Sequence, residues 1–144
     1  MTYTRSAREH DFLKYIRIVM KWAKANNPAL SKGDIELLLY LYPKGPFTKY
    51  YFKEFYKTLG LYQSKALDKL RIEGYVEDFL GYTGTGRKYV LTHKAKLLCS
   101  RMHKMLLGLE EIPTTSSNKM YDSGKAIDKA YLKVMESMNK EKGA

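Results

Sequence analysis

TKYYFKEFYKTLGLYQSKALDKLRIEGYVEDFLGYTGTGRKYVLT, residues 48–92, decides the fold. Its first third predicts a helix. Thr48 is a good N-cap, Phe47 and Phe52 flank it as a hydrophobic staple, and Phe52, Phe55, Tyr56 and Leu59 recur at helical spacing. Lys49, Lys53 and Lys57 give that helix a basic side, and Gly60 suits the residue just past its end. The turn is short, so the next helix, from about Tyr62 to Glu73, folds back on the first. It turns Ala66, Leu67 and Leu70 inward and Gln63, Ser64, Lys65, Asp68, Lys69 and Arg71 outward, and Gly74 closes it. Beyond Gly74 the period changes from helical to strand-like. Tyr75–Leu80 and Lys88–Leu91 carry aromatic and β-branched residues around a tip, residues 81–86, that contains three glycines.

Outward from this stretch the chain predicts helices on both sides. Ala7 to about Ala25 places Phe12, Tyr15, Ile16, Val19, Met20 and Ala23 in one stripe, and Asn26-Asn27-Pro28 ends it. Ser31 caps a helix from Lys32 to Tyr42, with Asp34 near its positive end. Its run Ile35, Leu37, Leu38, Leu39 and Leu41 is apolar on several sides, as expected of a core element, and Pro43-Lys44-Gly45-Pro46 stops it. Thr92 caps a helix to about Leu107, with Ala95, Leu98, Cys99, Met102 and Leu106 on one face, ended by Gly108 and Pro113. Residues 114–118 are expected to be a loop or linker. A last helix, about Lys125 to Asn139, has Ile127, Tyr131, Val134, Met135 and Met138 in its stripe, and the terminus beyond is expected to fray.

Composition narrows the classes of function. The 144 residues carry 26 Lys and Arg against 15 Asp and Glu, a formal net charge of +11. Such an excess suits a polyanionic partner, because lysines and arginines that neutralise phosphates release condensed counterions. No apolar run approaches the roughly 20 residues that span a bilayer, and residues 2–12 lack the apolar core of a signal peptide. A single cysteine, Cys99, excludes an intrachain disulfide and fits a reducing, cytoplasmic setting. On the inner face of its helix it is expected to be an inert thiol, not a redox sensor. His10, His93 and His103 lack ligand spacing, so no metal is expected. No nucleophile–base pair or paired carboxylates stand out, and the TGTG run is not followed by Gly-Lys-Ser/Thr. Neither a cofactor nor an enzymatic activity is therefore expected.

The element order helix, helix, helix-turn-helix, β-hairpin, long helix, terminal helix resembles the MarR family of winged-helix transcriptional regulators. Leu70-Arg71-Ile72-Glu73-Gly74-Tyr75-Val76 is similar to the family's Leu-x-x-x-Gly-φ-Val closure of the recognition helix, φ being apolar. Leu91-Thr92-His93-Lys94-Ala95 is similar to its Leu-Thr-x-x-Gly entry into the helix after the wing, with Ala95 in place of glycine. The family's wing tip commonly carries Asp-x-Arg. Here Thr83-Gly84-Thr85-Gly86-Arg87 keeps the arginine without an aspartate beside it, so the tip's usual salt bridge is not expected.

These readings give a mostly α fold with a small β-hairpin wing. A winged helix-turn-helix of residues 31–92 is flanked by dimerisation helices in 1–30 and 93–144. Helix-turn-helix geometry sets Tyr62, Gln63, Ser64 and Lys65 at the major-groove floor, with Gln63 suited to adenine, Lys65 to guanine, and Lys69 to phosphate. Thr48 and Lys49 are expected on the DNA backbone. Thr83, Thr85, Arg87 and Lys88 belong to the wing, Arg87 being carried over from the resemblance as a minor-groove or phosphate contact. The wide apolar stripes of the end helices, and the resemblance, imply a homodimer that reads a palindrome. The expected function is sequence-specific binding of double-stranded DNA by a transcriptional regulator, in the main a repressor. The resemblance also implies a small aromatic effector. Two alternatives stay open: an architectural DNA-binding protein without strong sequence preference, and a winged helix used to bind another protein.

Overall fold

The structure, a computed structural model, describes residues 12–59, 66–79 and 87–141. These residues divide into two compact units, with boundaries at Pro28/Ala29 and Cys99/Ser100.

The unit Ala29–Cys99 begins with α2, Lys32–Leu41, which follows α1 (Phe12–Asn26) of the other unit. Ser31 and Asp34 form a capping box: the Asp34 amide donates to Ser31 Oγ at 3.1 Å and the Ser31 amide donates to Asp34 Oδ2 at 2.8 Å. Leu37, Leu38 and Leu41 are buried together with Ile35, as the apolar run predicts. Then come β1 (Phe47–Thr48), α3 (Lys49–Leu59), α4 (described from Ala66 to Ile72), β2 (Val76–Asp78), β3 (Lys88–Leu91) and the start of α5 (His93–Leu107). The hairpin strands fall where the change of period places them. The strand before α3 is an element that the sequence reading does not contain. β1 pairs antiparallel with β3, Phe47 opposite Tyr89 and Thr48 opposite Lys88, giving a three-stranded sheet of order β1-β3-β2. Two residues are too few to show an alternating pattern, so their pairing is legible only in three dimensions.

Gly74 ends α4 at φ 83°, and the chain reverses there through two hydrogen bonds. The Tyr75 amide reaches the Leu70 carbonyl at 2.8 Å and the Gly74 amide the Arg71 carbonyl at 3.2 Å. This is the Schellman arrangement, with Tyr75 and Leu70 both buried beneath it. Thr92 caps α5 through the Ala95 amide, and its hydroxyl donates to the Gly74 carbonyl at 2.7 Å, tying the far end of the hairpin to its beginning.

The other unit holds α1, the end of α5 and α6 (Ala126–Lys140). Here two stripes differ from the expected ones. In α1 the buried residues are Tyr15, Ile18, Val19, Trp22 and Ala23, whereas Phe12 is 60% exposed and Ile16 and Met20 are only half-buried. Burying Trp22, beneath the Arg101 guanidinium at 4.8 Å, turns the helix about one position from the stripe that starts at Phe12. In α6 the buried face is Asp128, Leu132, Met135 and Met138, and Ile127 is 60% exposed. Polar anchors set that rotation: Lys21 of α1 lies 3.9 Å from Asp128 Oδ1, and Asn139 makes hydrogen bonds of 2.7 and 2.9 Å with the Ile112 amide and carbonyl. In α5 the buried position near the C-terminus is Met105, not Leu106.

Residues 114–118, expected as a plain linker, end on a buried hub. Asn118 is 1% exposed. Its amide nitrogen donates to the Pro113 carbonyl at 2.8 Å, and its oxygen accepts from Asn26 Nδ2 at 2.9 Å and the Met120 amide at 3.0 Å. Asn26 Oδ1 in turn accepts the Lys119 amide at 2.8 Å, so the end of α1 and this loop are laced side chain to backbone.

Candidate nucleic-acid interface

Thr48 sits at the junction of β1 and α3, and its Oγ1 accepts the Tyr51 amide at 3.2 Å. The strand register sets Lys88 directly across from Thr48. Two residues expected at the interface from distant parts of the sequence are thus neighbours. Along α3, Lys49, Lys53 and Lys57 follow at intervals of four and are all exposed. Among the described residues none of the three enters an ion pair. Like charges at this spacing repel, so the stripe costs α3 a few tenths of a kcal/mol per pair unless an anion lies against it. Next to the stripe, Tyr51 stacks on Tyr40 with ring centroids 5.4 Å apart, and Lys44 Nζ stands 4.7 Å over the Tyr51 ring. Tyr50 projects outward, 69% exposed. Its hydrogen bond with Glu54 raises the phenol above its ordinary value.

The cations of α4 are placed differently. Lys69 donates from Nζ to Asp34 Oδ2 at 2.6 Å, and the carboxylate it meets is 1% exposed, whereas Lys69 itself is 41% exposed. Burial pushes the Asp34 carboxyl up. The hydrogen bond from Lys69 and those from Ser31 outweigh it, so the group lies below its ordinary value. Arg71 Nη2 stands 3.3 Å from Asp78 Oδ1, and Arg87 Nη2 donates to Asp78 Oδ2 at 2.8 Å. Both guanidiniums also lie 5.5 Å from the centroid of the Tyr89 ring, which packs on Phe47 of β1. The hydrogen bond from Arg87 holds the Asp78 carboxyl below its ordinary value, with Arg71 adding to it, and Asp78 raises Arg87 in return.

This node corrects one expectation. Arg87 does have an acidic partner, supplied by the opposite strand. Asp78 pairs in register with Tyr89, so Arg87 is its diagonal neighbour, within reach of a long side chain. An aspartate sought only beside the arginine in sequence is missed for that reason. Arg71, Asp78 and Tyr89, and the buried partner Asp34, are site residues that the sequence reading passed over. Their signal is cross-strand and cross-helix, not local.

Lys94, on the first turn of α5, lies 4.2 Å over the Tyr75 ring and donates to the Glu73 carbonyl at 3.2 Å. Tyr62, Gln63, Ser64 and Lys65, expected at the groove floor, and Thr83 and Thr85 of the tip lie outside the described residues. So do Gly60 and the side chains of Phe55, Tyr56 and Leu59. Cys99 is buried, and burial pushes its thiol up to about 12. Among the described residues, no three His, Cys, Asp or Glu side chains gather as metal ligands would, and no helix is long and apolar enough to cross a membrane. No protein-family model, no curated protein and no solved structure matches the chain.

Proposed function

We propose that the unit Ala29–Cys99 is a winged helix-turn-helix that binds double-stranded DNA, and that the protein is a sequence-specific transcriptional regulator acting as a homodimer. One observation carries this reading: the order of α2, β1, α3, α4 and the β2–β3 hairpin, with β1 closing the sheet on β3. That order puts the root of the wing beside the N-terminus of α3, so Thr48, Lys49 and Lys88 form one polar, basic edge. The segment from Tyr62 into α4 is the proposed recognition helix, its N-terminal residues reading bases from the major groove. Lys49, Lys53 and Lys57 supply contacts to phosphate, in keeping with the net charge of +11. Phe12 and Leu13 of α1 and Ile127 of α6, each at least 60% exposed, are the apolar residues proposed to meet a second copy. A dimer of this kind occupies a palindromic operator and represses by exclusion.

The exposed lysine stripe on α3 also favours a second reading, an architectural protein that holds DNA by its backbone alone. A titration of the chain against random-sequence duplex DNA and against a pool selected from genomic fragments, at low and moderate salt, separates the two. A regulator binds a few palindromic sequences roughly a thousandfold more tightly than bulk DNA. An architectural protein binds every duplex alike, with a steep salt dependence. Absence of binding at both salts rejects both readings and leaves a protein partner.

A further inference from the structure

Six basic side chains of the unit Ala29–Cys99 form two electrostatic groups. Lys49, Lys53 and Lys57 on α3 stand exposed and outside any ion pair among the described residues. Lys69 and Arg71 on α4, and Arg87 at the foot of β3, all sit on carboxylates. Asp78 is the economical part of this arrangement, because one carboxylate faces two guanidiniums: Oδ2 accepts a hydrogen bond from Arg87 at 2.8 Å, and Oδ1 stands 3.3 Å from Arg71 as an ion pair without a hydrogen bond. The Tyr89 ring, 5.5 Å from each, fixes them further. Phosphate oxygens would compete for the same N–H groups, since guanidinium pairs with carboxylate and with phosphate in the same forked geometry.

We propose that Asp78 is a specificity-determining residue of the DNA interface: it holds Arg71 and Arg87 off the phosphate backbone and leaves sequence-independent affinity to α3. This rests on the DNA-binding reading above. Contacts to phosphate add the same affinity for every sequence, whereas contacts to base edges discriminate. Two further arginines on phosphate would strengthen binding to bulk DNA as much as to the operator. They would also drag the wing toward whatever backbone lay nearest. Held by Asp78, the same arginines instead brace the C-terminal end of α4 against the hairpin, and the ratio of specific to bulk affinity rises.

The test is a salt titration of the full chain on random-sequence duplex DNA, from about 50 to about 200 mM, for wild type, D78N, D78E and R87Q. D78N is expected to bind bulk DNA more tightly at low salt, with a slope of log K on log salt steeper by about 0.9 for each arginine released. Affinity then falls about 3- to 12-fold further across that range than it does for wild type. D78E, which keeps the charge, is expected to restore the wild-type slope, and adding R71Q and R87Q to D78N to remove the increment. An unchanged slope in D78N alongside a lowered thermal midpoint would show that Asp78 only supports the fold, and would overturn the proposal. So would a slope shallower by about 0.9 in R87Q alone, because Arg87 would then already neutralise a phosphate. The R87Q measurement decides the matter even if D78N fails to fold. Failure of the wild type to bind duplex DNA at low salt overturns the DNA reading itself, and this proposal with it.

Discussion

Among the described residues of its unit, Asp34 is the one carboxylate that folding removes almost wholly from water, and Lys69 answers it from another helix. Replacing Lys69 by Met leaves that charge with the Ser31 groups alone. The loss is expected to be about 2 kcal/mol in urea denaturation, below the range for a fully buried pair because Lys69 is partly solvated. The pair also fixes a pH dependence. The folded carboxyl lies below its ordinary value of 3.8, so the unfolded chain takes up the proton first as the pH falls. The stabilisation is complete above about pH 5 and is lost as the pH drops through 3.8 toward the folded value. Thermal midpoints between about pH 5 and 3 should therefore fall more steeply in the wild type than in D34N. Cys99 gives a second expectation at this scale. With its thiol pushed up to about 12 and its side chain buried, it should resist a thiol reagent at pH 8 in the folded protein and react at once in urea.

Among the elements, the ends of helices were the most legible in the sequence, because caps are local chemistry. Ser31 with Asp34, Thr48, Thr92, Gly74 and Gly108 all stand where short-range rules set them. Gly74 is the sharpest case: at φ 83° a Cβ would meet nothing within 4 Å, so G74A should cost only the left-handed backbone term. That is about 1 to 2 kcal/mol by denaturation, with no change in the folded spectrum. The rotation of α1 and α6 was less legible. Each helix carries more apolar residues than one stripe needs, and only the polar anchors Asp128, Asn139 and Arg101 select which are buried. The hub on Asn118 was hidden altogether, since a polar residue in a Ser/Thr-rich loop looks solvated until its partners arrive from 92 residues away. N118A should cost about 1 to 3 kcal/mol, because it takes the acceptor from the buried Met120 N–H and the donor from the Pro113 carbonyl, while the Asn26 amide keeps the Trp22 carbonyl. At the candidate interface the exposed lysines of α3 were legible from their spacing, whereas the carboxylate partners of Lys69, Arg71 and Arg87 depended on strand register and helix packing.

Over the whole chain, the two units differ in how they are threaded. The unit Ala29–Cys99 is one continuous stretch, whereas the other joins α1 to segments at the far end of the sequence. The hydrogen bond from the Tyr15 hydroxyl to the Glu141 carboxylate closes a span of 126 residues, and the ion pair from Lys21 to Asp128 is nearly as long-range. During synthesis, α1 therefore leaves the ribosome with Tyr15, Ile18, Val19 and Trp22 uncovered, while the residues that bury them have not yet been made. At about 5 to 20 residues per second, roughly 5 to 25 s pass before α6 emerges. The continuous unit can fold during that interval, but α1 must wait. Nascent chains stalled near residue 100 should accordingly show a trigger-factor-type chaperone cross-linking to Trp22, and the full chain released from the ribosome should not. The order in which the ribosome delivers the parts thus makes α1, among the earliest made, the last to find its place.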